Sequence, residues 1–273
     1  MKNLFDIINV SGSDRVAFLQ GQLTQNIALL CSSNIHFGAL CSPKGRVIAS
    51  CQLFATKETI HIILPSQMTD IVMQRLNLYK LRSDVFLEKN NNAHCFCVQQ
   101  QDNKSTVKNN DYLENSYVSR YLEKTSHREF FNYLNDSKSM IKASETHLNR
   151  EQWQTARIAN GIVDIVPEIS EKYTPHMLNL DTLNGVSFNK GCYVGQEIVA
   201  RTEYIGKVKR RAVIYSLSKK ISSRHEPLFL GKDKVAIDIL STSENMMIAL
   251  VNTSFAADNL IYAGGIASPI NLK

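Results

Sequence analysis

The segment Lys190-Gly191-Cys192-Tyr193-Val194-Gly195-Gln196-Glu197 gathers the residue types best suited to chemistry. The thiolate is the reactive form of cysteine, and a nearby cation favours it over the thiol; Lys190, and Arg201 further on, could supply that charge. Gly191 and Gly195 permit positive φ or close backbone approach, so Cys192 can sit on a tight loop. Gln196 and Glu197 add an amide and a carboxylate. The competing reading is a turn whose glycines serve the backbone and whose cysteine is a small buried apolar residue. So many functional types in one segment favour a site.

Other chemistries find little support. The chain has no GxGxxG after a strand and no P-loop. It has neither HExxH nor GxSxG. The six cysteines are Cys31, Cys41, Cys51, Cys95, Cys97 and Cys192, with no CxxC pair. That spacing, with scattered histidines, argues against zinc, and chain length with no export signal argues against a disulfide scaffold. Cys95-Phe96-Cys97 would put two thiols on one face of a strand, which a half-buried strand explains. Lys207-Val208-Lys209-Arg210-Arg211 lacks interleaved aromatics, so it is a weak nucleic-acid footprint.

The elements that must position the loop follow from periodicity and turn residues. Leu4 to Val10 is predicted as a strand. Ser13 is placed as the N-cap of a short helix through Leu19. Phe37 to Cys41, a Pro-Lys-Gly turn and Val47 to Ala55 form a hairpin. Thr59 to Leu64 is a strand, and Ser66 caps a helix carrying Met68, Ile71, Val72, Leu76 and Tyr79. Strands follow at Val85 to Leu87, Ala93 to Val98 and Tyr117 to Leu122, with polar loops around Lys89 to Asn92 and Gln99 to Asn110. Glu129 to Asn135 is expected to be helical. A helix from Gln152 to Asn160 stops at Gly161. Short strands then follow at Val208 to Leu217, Leu228 to Leu230, Val235 to Leu240, Met246 to Val251 and Leu260 to Ala263. They imply a small antiparallel barrel.

The 273 residues are 44% hydrophobic and carry a net charge of +6. That supports a substantial core and suits an anionic partner such as polyglutamylated folate or RNA. Neither a secretory h-region nor an apolar run of the ~18 residues needed to span a membrane is present. The expectation is a soluble cytoplasmic protein.

KGCYVGQE, continued by Ile198-Val199-Ala200-Arg201, resembles the signature of the YgfZ family. These are folate-binding proteins related to the aminomethyltransferase (T-protein) of the glycine cleavage system and to iron–sulfur assembly factors. Phe18-Leu19-Gln20-Gly21-Gln22-Leu23-Thr24, Ser42-Pro43-Lys44-Gly45-Arg46 and Leu78-Tyr79-Lys80-Leu81-Arg82 resemble further family segments, as does Trp153 with Gly161 after it. The resemblance implies an α+β aminomethyltransferase-like fold. Two pseudo-repeated α+β units would occupy residues 1–200, breaking near 90–115, with a C-terminal β-barrel over 201–273.

The resemblance further implies a cofactor, tetrahydrofolate or another reduced folate. The expected partners are folate and iron–sulfur enzymes or assembly factors. The effect on tRNA modification by methylthiolation would be indirect, and Cys192 would be the reactive group. Trp153 and Phe5 would wall the pterin. Lys190, Gly191, Tyr193, Gly195, Gln196, Glu197 and Arg201 would complete the folate site. Ala159 stands where folate-binding relatives often carry glutamate, so Asn160 or another residue must replace that contact. Ala49-Ser50 stands where the aminomethyltransferase carries adjacent aspartates, leaving no carboxylate there for acid–base work. That favours an accessory factor over a folate-dependent one-carbon transferase. A non-catalytic RNA-binding or protein-binding scaffold is the further alternative.

Overall fold

The computed structural model describes residues 4–31, 35–91, 94–100, 116–121, 129–134, 145–147, 149–231, 233–235, 237–263 and 265–270. Strand β1 (Phe5–Ser11) leads into helix α1 (Arg15–Gln20). Strands β2 (His36–Cys41), β3 (Val47–Ala55) and β4 (Ile60–Pro65) precede helix α2 (Thr69–Lys80) and strand β5 (Phe86–Lys89). These strands form a five-stranded antiparallel sheet in the order β2-β3-β4-β1-β5. The β2–β3 hairpin closes as expected. The Gly45 N–H donates to the Ser42 carbonyl (2.9 Å). Pro43 and Gly45 then hold the second and fourth positions of a β-turn, where both are favoured.

Two predicted caps are corrected. Helix α1 begins at Arg15, and the Ser13 N–H (3.1 Å) and hydroxyl (2.9 Å) both donate to Asp84 Oδ2 instead. A tie to a distant loop has displaced the local cap. Ser66 opens a 3₁₀ turn before α2 without a side-chain capping bond.

Strands β6 (His94–Gln100), β7 (Ser116–Tyr121), β8 (Glu129–Leu134) and β9 (Glu145–His147) form a second sheet in the order β7-β8-β6-β9. The helix expected over Glu129 to Asn135 is therefore wrong. Glu129-Phe130-Phe131-Asn132-Tyr133-Leu134 is aromatic-rich, which suits a strand, and it pairs with β7 on one side and β6 on the other. Cys95 and Cys97 lie in β6, but their side chains, the 101–115 stretch and Asn135 lie outside what is described.

Helix α3 (Arg150–Ala159) starts on an Asn149–Gln152 capping box. It ends on Gly161 at φ +72°. The Ile162 N–H donates to the Arg157 carbonyl and the Gly161 N–H to Ile158, both at 2.9 Å. That paired closure requires a residue comfortable at positive φ, as Gly161 is. Helix α4 (Gln196–Tyr204) follows.

The remaining strands are β10 (Arg210–Leu217), β11 (Leu228–Leu230), β12 (Asp233–Val235), β13 (Asp238–Thr242), β14 (Met246–Asn252), β15 (Leu260–Tyr262) and β16 (Gly265–Ile270). They form one antiparallel sheet, β12-β11-β15-β16-β10-β14-β13. The single strand expected over Val235 to Leu240 is split. Its halves β12 and β13 are the two edges of the sheet, although residues 236–237 alone separate them. Two residues span little distance, so the sheet must curl towards closure. Strand β14 is apolar from Met246 to Val251, because both its faces are buried over Met247 to Val251. Ile248 and Leu250 join the large core shared with the first sheet, while Met247, Ala249 and Val251 fill the interior of the curl.

A buried histidine in the first sheet gives a pH-dependent expectation. His61 is 5% exposed, lies flat on Phe54 (4.4 Å between centroids) and has its Nδ1 2.9 Å from Asn9 Oδ1. Burial pushes its pKa down to about 4. The unfolded chain then binds a proton from about pH 6.5, while the folded chain refuses it until about pH 4. Stability from this group is present above pH 6.5 and is lost as pH falls to 4, amounting to about 3 kcal/mol. Urea denaturation at pH 7 and pH 4.5 should show a steeper acid loss for wild type than for His61→Gln. Equal losses would contradict this assignment.

Candidate functional site

Three distant segments meet around the Cys192 loop. The Lys190 ammonium donates to three main-chain carbonyls, those of Gln20 (2.8 Å), Leu23 (2.7 Å) and Gln25 (2.8 Å). It also lies 5.1 Å from the centre of the Tyr193 ring. Val194 N–H donates to the Gly21 carbonyl at 3.2 Å. The segment after α1 is itself pinned by Thr24, whose hydroxyl donates to Gly185 (2.6 Å) and accepts from the Ala39 N–H (2.9 Å). The Ser42–Gly45 turn abuts Gly195, where an added Cβ would lie 2.4 Å from the Ser42 carbonyl oxygen. Gly195 has φ +83° and sits immediately before α4.

This geometry gives several of the residues expected at the site structural partners of their own. All three Lys190 donors are spent on carbonyls, so it is an anchor for the 20–25 segment. Burial brings its pKa down to about 8. Gly191 has neither positive φ nor a neighbour within 4 Å of an added Cβ, so only Gly195 answers a backbone demand. Gln196 Oε1 accepts the Tyr193 N–H (3.1 Å), closing the turn. Tyr193 is buried, whereas Glu197 and Arg201 are exposed on α4. Cys192 is exposed, and its thiol is free. Cys41 and Cys51 are buried, which raises both thiols to about 12.

Phe5 and Trp153 come together elsewhere. Their rings stack at 5.1 Å and 24°. Arg157, one helical turn beyond Trp153, lies over the Phe5 ring at 5.1 Å. Its Nε donates to Asp164 Oδ2 (2.6 Å), and its Nη2 bonds Asp164 Oδ1, giving a two-pronged pair. These four residues line a cavity of about 670 Å³, together with Arg150, Arg224 and Lys89. Lys89 pairs with Asp6 at 2.6 Å. No residue from Lys190 to Arg201 lines this cavity, so the loop and the aromatic wall are separate features. Phe5 and Trp153 are 7% and 4% exposed, so the cavity meets only a small part of each ring.

Asn160, expected to replace the missing glutamate, is not among the residues that line this cavity, and its Nδ2 donates to the Ala156 carbonyl at 2.8 Å. Two carboxylates line the cavity, Asp6, which is paired with Lys89, and Asp164, and sequence reasoning missed both. Arg157 was legible in principle, since it follows Trp153 by one turn and shares its face. Nothing local marks Asp164. Ser50, in place of an aspartate, donates to the Val163 carbonyl and accepts the Ile165 N–H, both at 3.1 Å. In the Lys207–Arg211 run, Arg211 grips Asp181 at 2.7 Å and Arg210 reaches Asp238 at 3.6 Å. Among the described residues, His176, Asp181 and Glu203 cluster closely enough to suggest metal ligands. Arg211 occupies both Asp181 oxygens, and His176 Nε2 lies 3.0 Å from Glu203 Oε2, so each of the three already has a protein partner.

The chain is 28% identical over 239 residues to the tRNA-modifying protein YgfZ of Hamiltonella defensa, covering 80% of this chain and 69% of that one. It is 29% identical over 222 residues to the protein of the same name from Colwellia psychrerythraea, covering 76% and 67%. No family model matches. Its fold is that of the glycine cleavage system aminomethyltransferase T of Bartonella henselae, with a TM-score of 0.73 over 98% of this chain and 83% of that one, at 13% identity.

Proposed function

We propose, from the premise that this chain resembles the YgfZ proteins along most of its length, that it is a folate-binding accessory factor for tRNA modification. In this reading it supports iron–sulfur enzymes that methylthiolate tRNA, and it does so in the cytoplasm. The observation that carries the folate assignment is the cavity at Phe5, Trp153, Arg157 and Asp164. Its volume suits a small-molecule cofactor, for which several hundred Å³ is usual. The residues fit a reduced folate. The aromatic pair supplies an apolar wall, Asp164 can accept from ring N–H groups, and Arg150 and Arg224 can meet the carboxylates of the glutamate tail.

A bound reduced folate would supply one-carbon chemistry. The chain's own residues argue for an accessory role, because Ala49 and Ser50 offer no carboxylate on β3 and Ser50 is engaged in holding residues 163 and 165. Cys192 is the reactive group in this reading. It is exposed on a loop held by Lys190 and Gly195, so the scaffold presents the thiol while leaving it accessible. Cys192→Ser should unfold within about 0.5 kcal/mol of wild type, as exposed substitutions usually do. It should nevertheless fail to restore tRNA methylthiolation in a deletion strain. Full restoration would remove Cys192 from the function.

A further inference from the structure

Gln52 lies in the middle of β3, paired in register with Phe37 and Ile63, and is 2% exposed. Neither its Oε1 nor its Nε2 has a hydrogen-bond partner among the described residues. A buried amide with both ends unsatisfied is unfavourable, and leucine or methionine would fill a strand interior without that cost. The side chain lines a recess with room for one water-sized group, about 10 Å³. The recess shares Phe5, Pro65, Arg157 and Asp164 with the large cavity, so the two adjoin along those walls.

We infer that Gln52 is the specificity-determining residue of the folate cavity, its carboxamide reading the polar edge of the pterin ring. The inference rests on the folate reading above. The polar edge of a pterin carries both carbonyl and N–H groups, and a carboxamide can donate to the one or accept from the other. The recess admits one polar atom of that edge, in the place a water would otherwise take. Asp164, on the shared wall, is placed to accept from neighbouring ring N–H groups. Nothing in the spacing of β3 marks Gln52, because a polar residue there resembles the exposed position of an ordinary alternating strand.

Calorimetric titration of the full chain tests this. Gln52→Met keeps the volume and removes the amide. Its affinity for tetrahydrofolate should fall at least tenfold, with the melting temperature unchanged or raised. Its affinity for p-aminobenzoylglutamate, which lacks the pterin, should match wild type. Should the variant fail to fold, the wild-type Gln52 side-chain amide resonances should shift with tetrahydrofolate and stay still with p-aminobenzoylglutamate. Equal tetrahydrofolate affinity in both proteins, or still resonances, would mean that the amide holds only a water and would overturn the assignment. If wild type itself binds no tetrahydrofolate, the folate reading fails and this inference fails with it.

Discussion

Lys190→Met is expected to destabilise the protein by about 2–4 kcal/mol. The substitution keeps the apolar stem and removes an ammonium that satisfies three carbonyls at once. Hydrogen bonds to a charged group are worth more than neutral ones, and buried acceptors left without donors carry their own penalty. Burial already works against the charge, which is why the Lys190 pKa is pulled down to about 8 and why the net effect falls short of three full bonds. Lys190→Arg should not rescue, since a planar guanidinium cannot donate to three carbonyls converging on one point. Urea denaturation at pH 7 measures both. A change in Lys190→Met of less than about 0.5 kcal/mol, the range of an ordinary surface substitution, would show that the anchor carries no weight.

Gly195→Ala should cost about 2–4 kcal/mol, whereas Gly191→Ala should be nearly silent. The two glycines bracket the same cysteine and look equivalent in the sequence. Gly195 has φ +83°, and its added methyl would meet the Ser42 carbonyl at 2.4 Å, with Gly45 Cα at 3.1 Å. An L side chain at such a φ costs about 1–2 kcal/mol on its own, and the overlap forces the Ser42–Gly45 turn off α4. An alanine at position 191 meets nothing within 4 Å. Thermal melts of the pair decide the matter, and equal shifts would contradict this geometry.

That contrast shows what was legible in the sequence. The β2–β3 hairpin was readable because turn chemistry is local, and α3 because Gly161 and the spacing of Trp153 and Ile158 are local too. The helix expected over residues 129–135 failed because pairing on both sides of β8 is a property of its neighbours. Strand β16 lay beyond the last expected strand, and its Pro269 suits no simple strand pattern. The Lys190–Glu197 segment was recognisable as special, yet its division of labour was not. The acceptors of Lys190 lie 165 to 170 residues away, so adjacency to Cys192 suggested an electrostatic role where the fold uses an anchor. Asp164 and Gln52 were missed because the cavity and its adjoining recess are assembled from segments far apart in the chain, which leaves no periodic trace in any one of them.

The central claim is that the cavity beside Trp153 takes a reduced folate. Trp153 is the sole tryptophan, it lines that cavity, and its emission therefore reports on this site alone. Titration with tetrahydrofolate should quench it saturably, with half-saturation in the micromolar range, equivalent to roughly −8 kcal/mol. The Trp153→Phe protein supplies the blank for absorption by the ligand. Fluorescence that declines no further than that blank, up to millimolar tetrahydrofolate, would contradict the account and leave the Cys192 loop as a feature of a protein-binding scaffold.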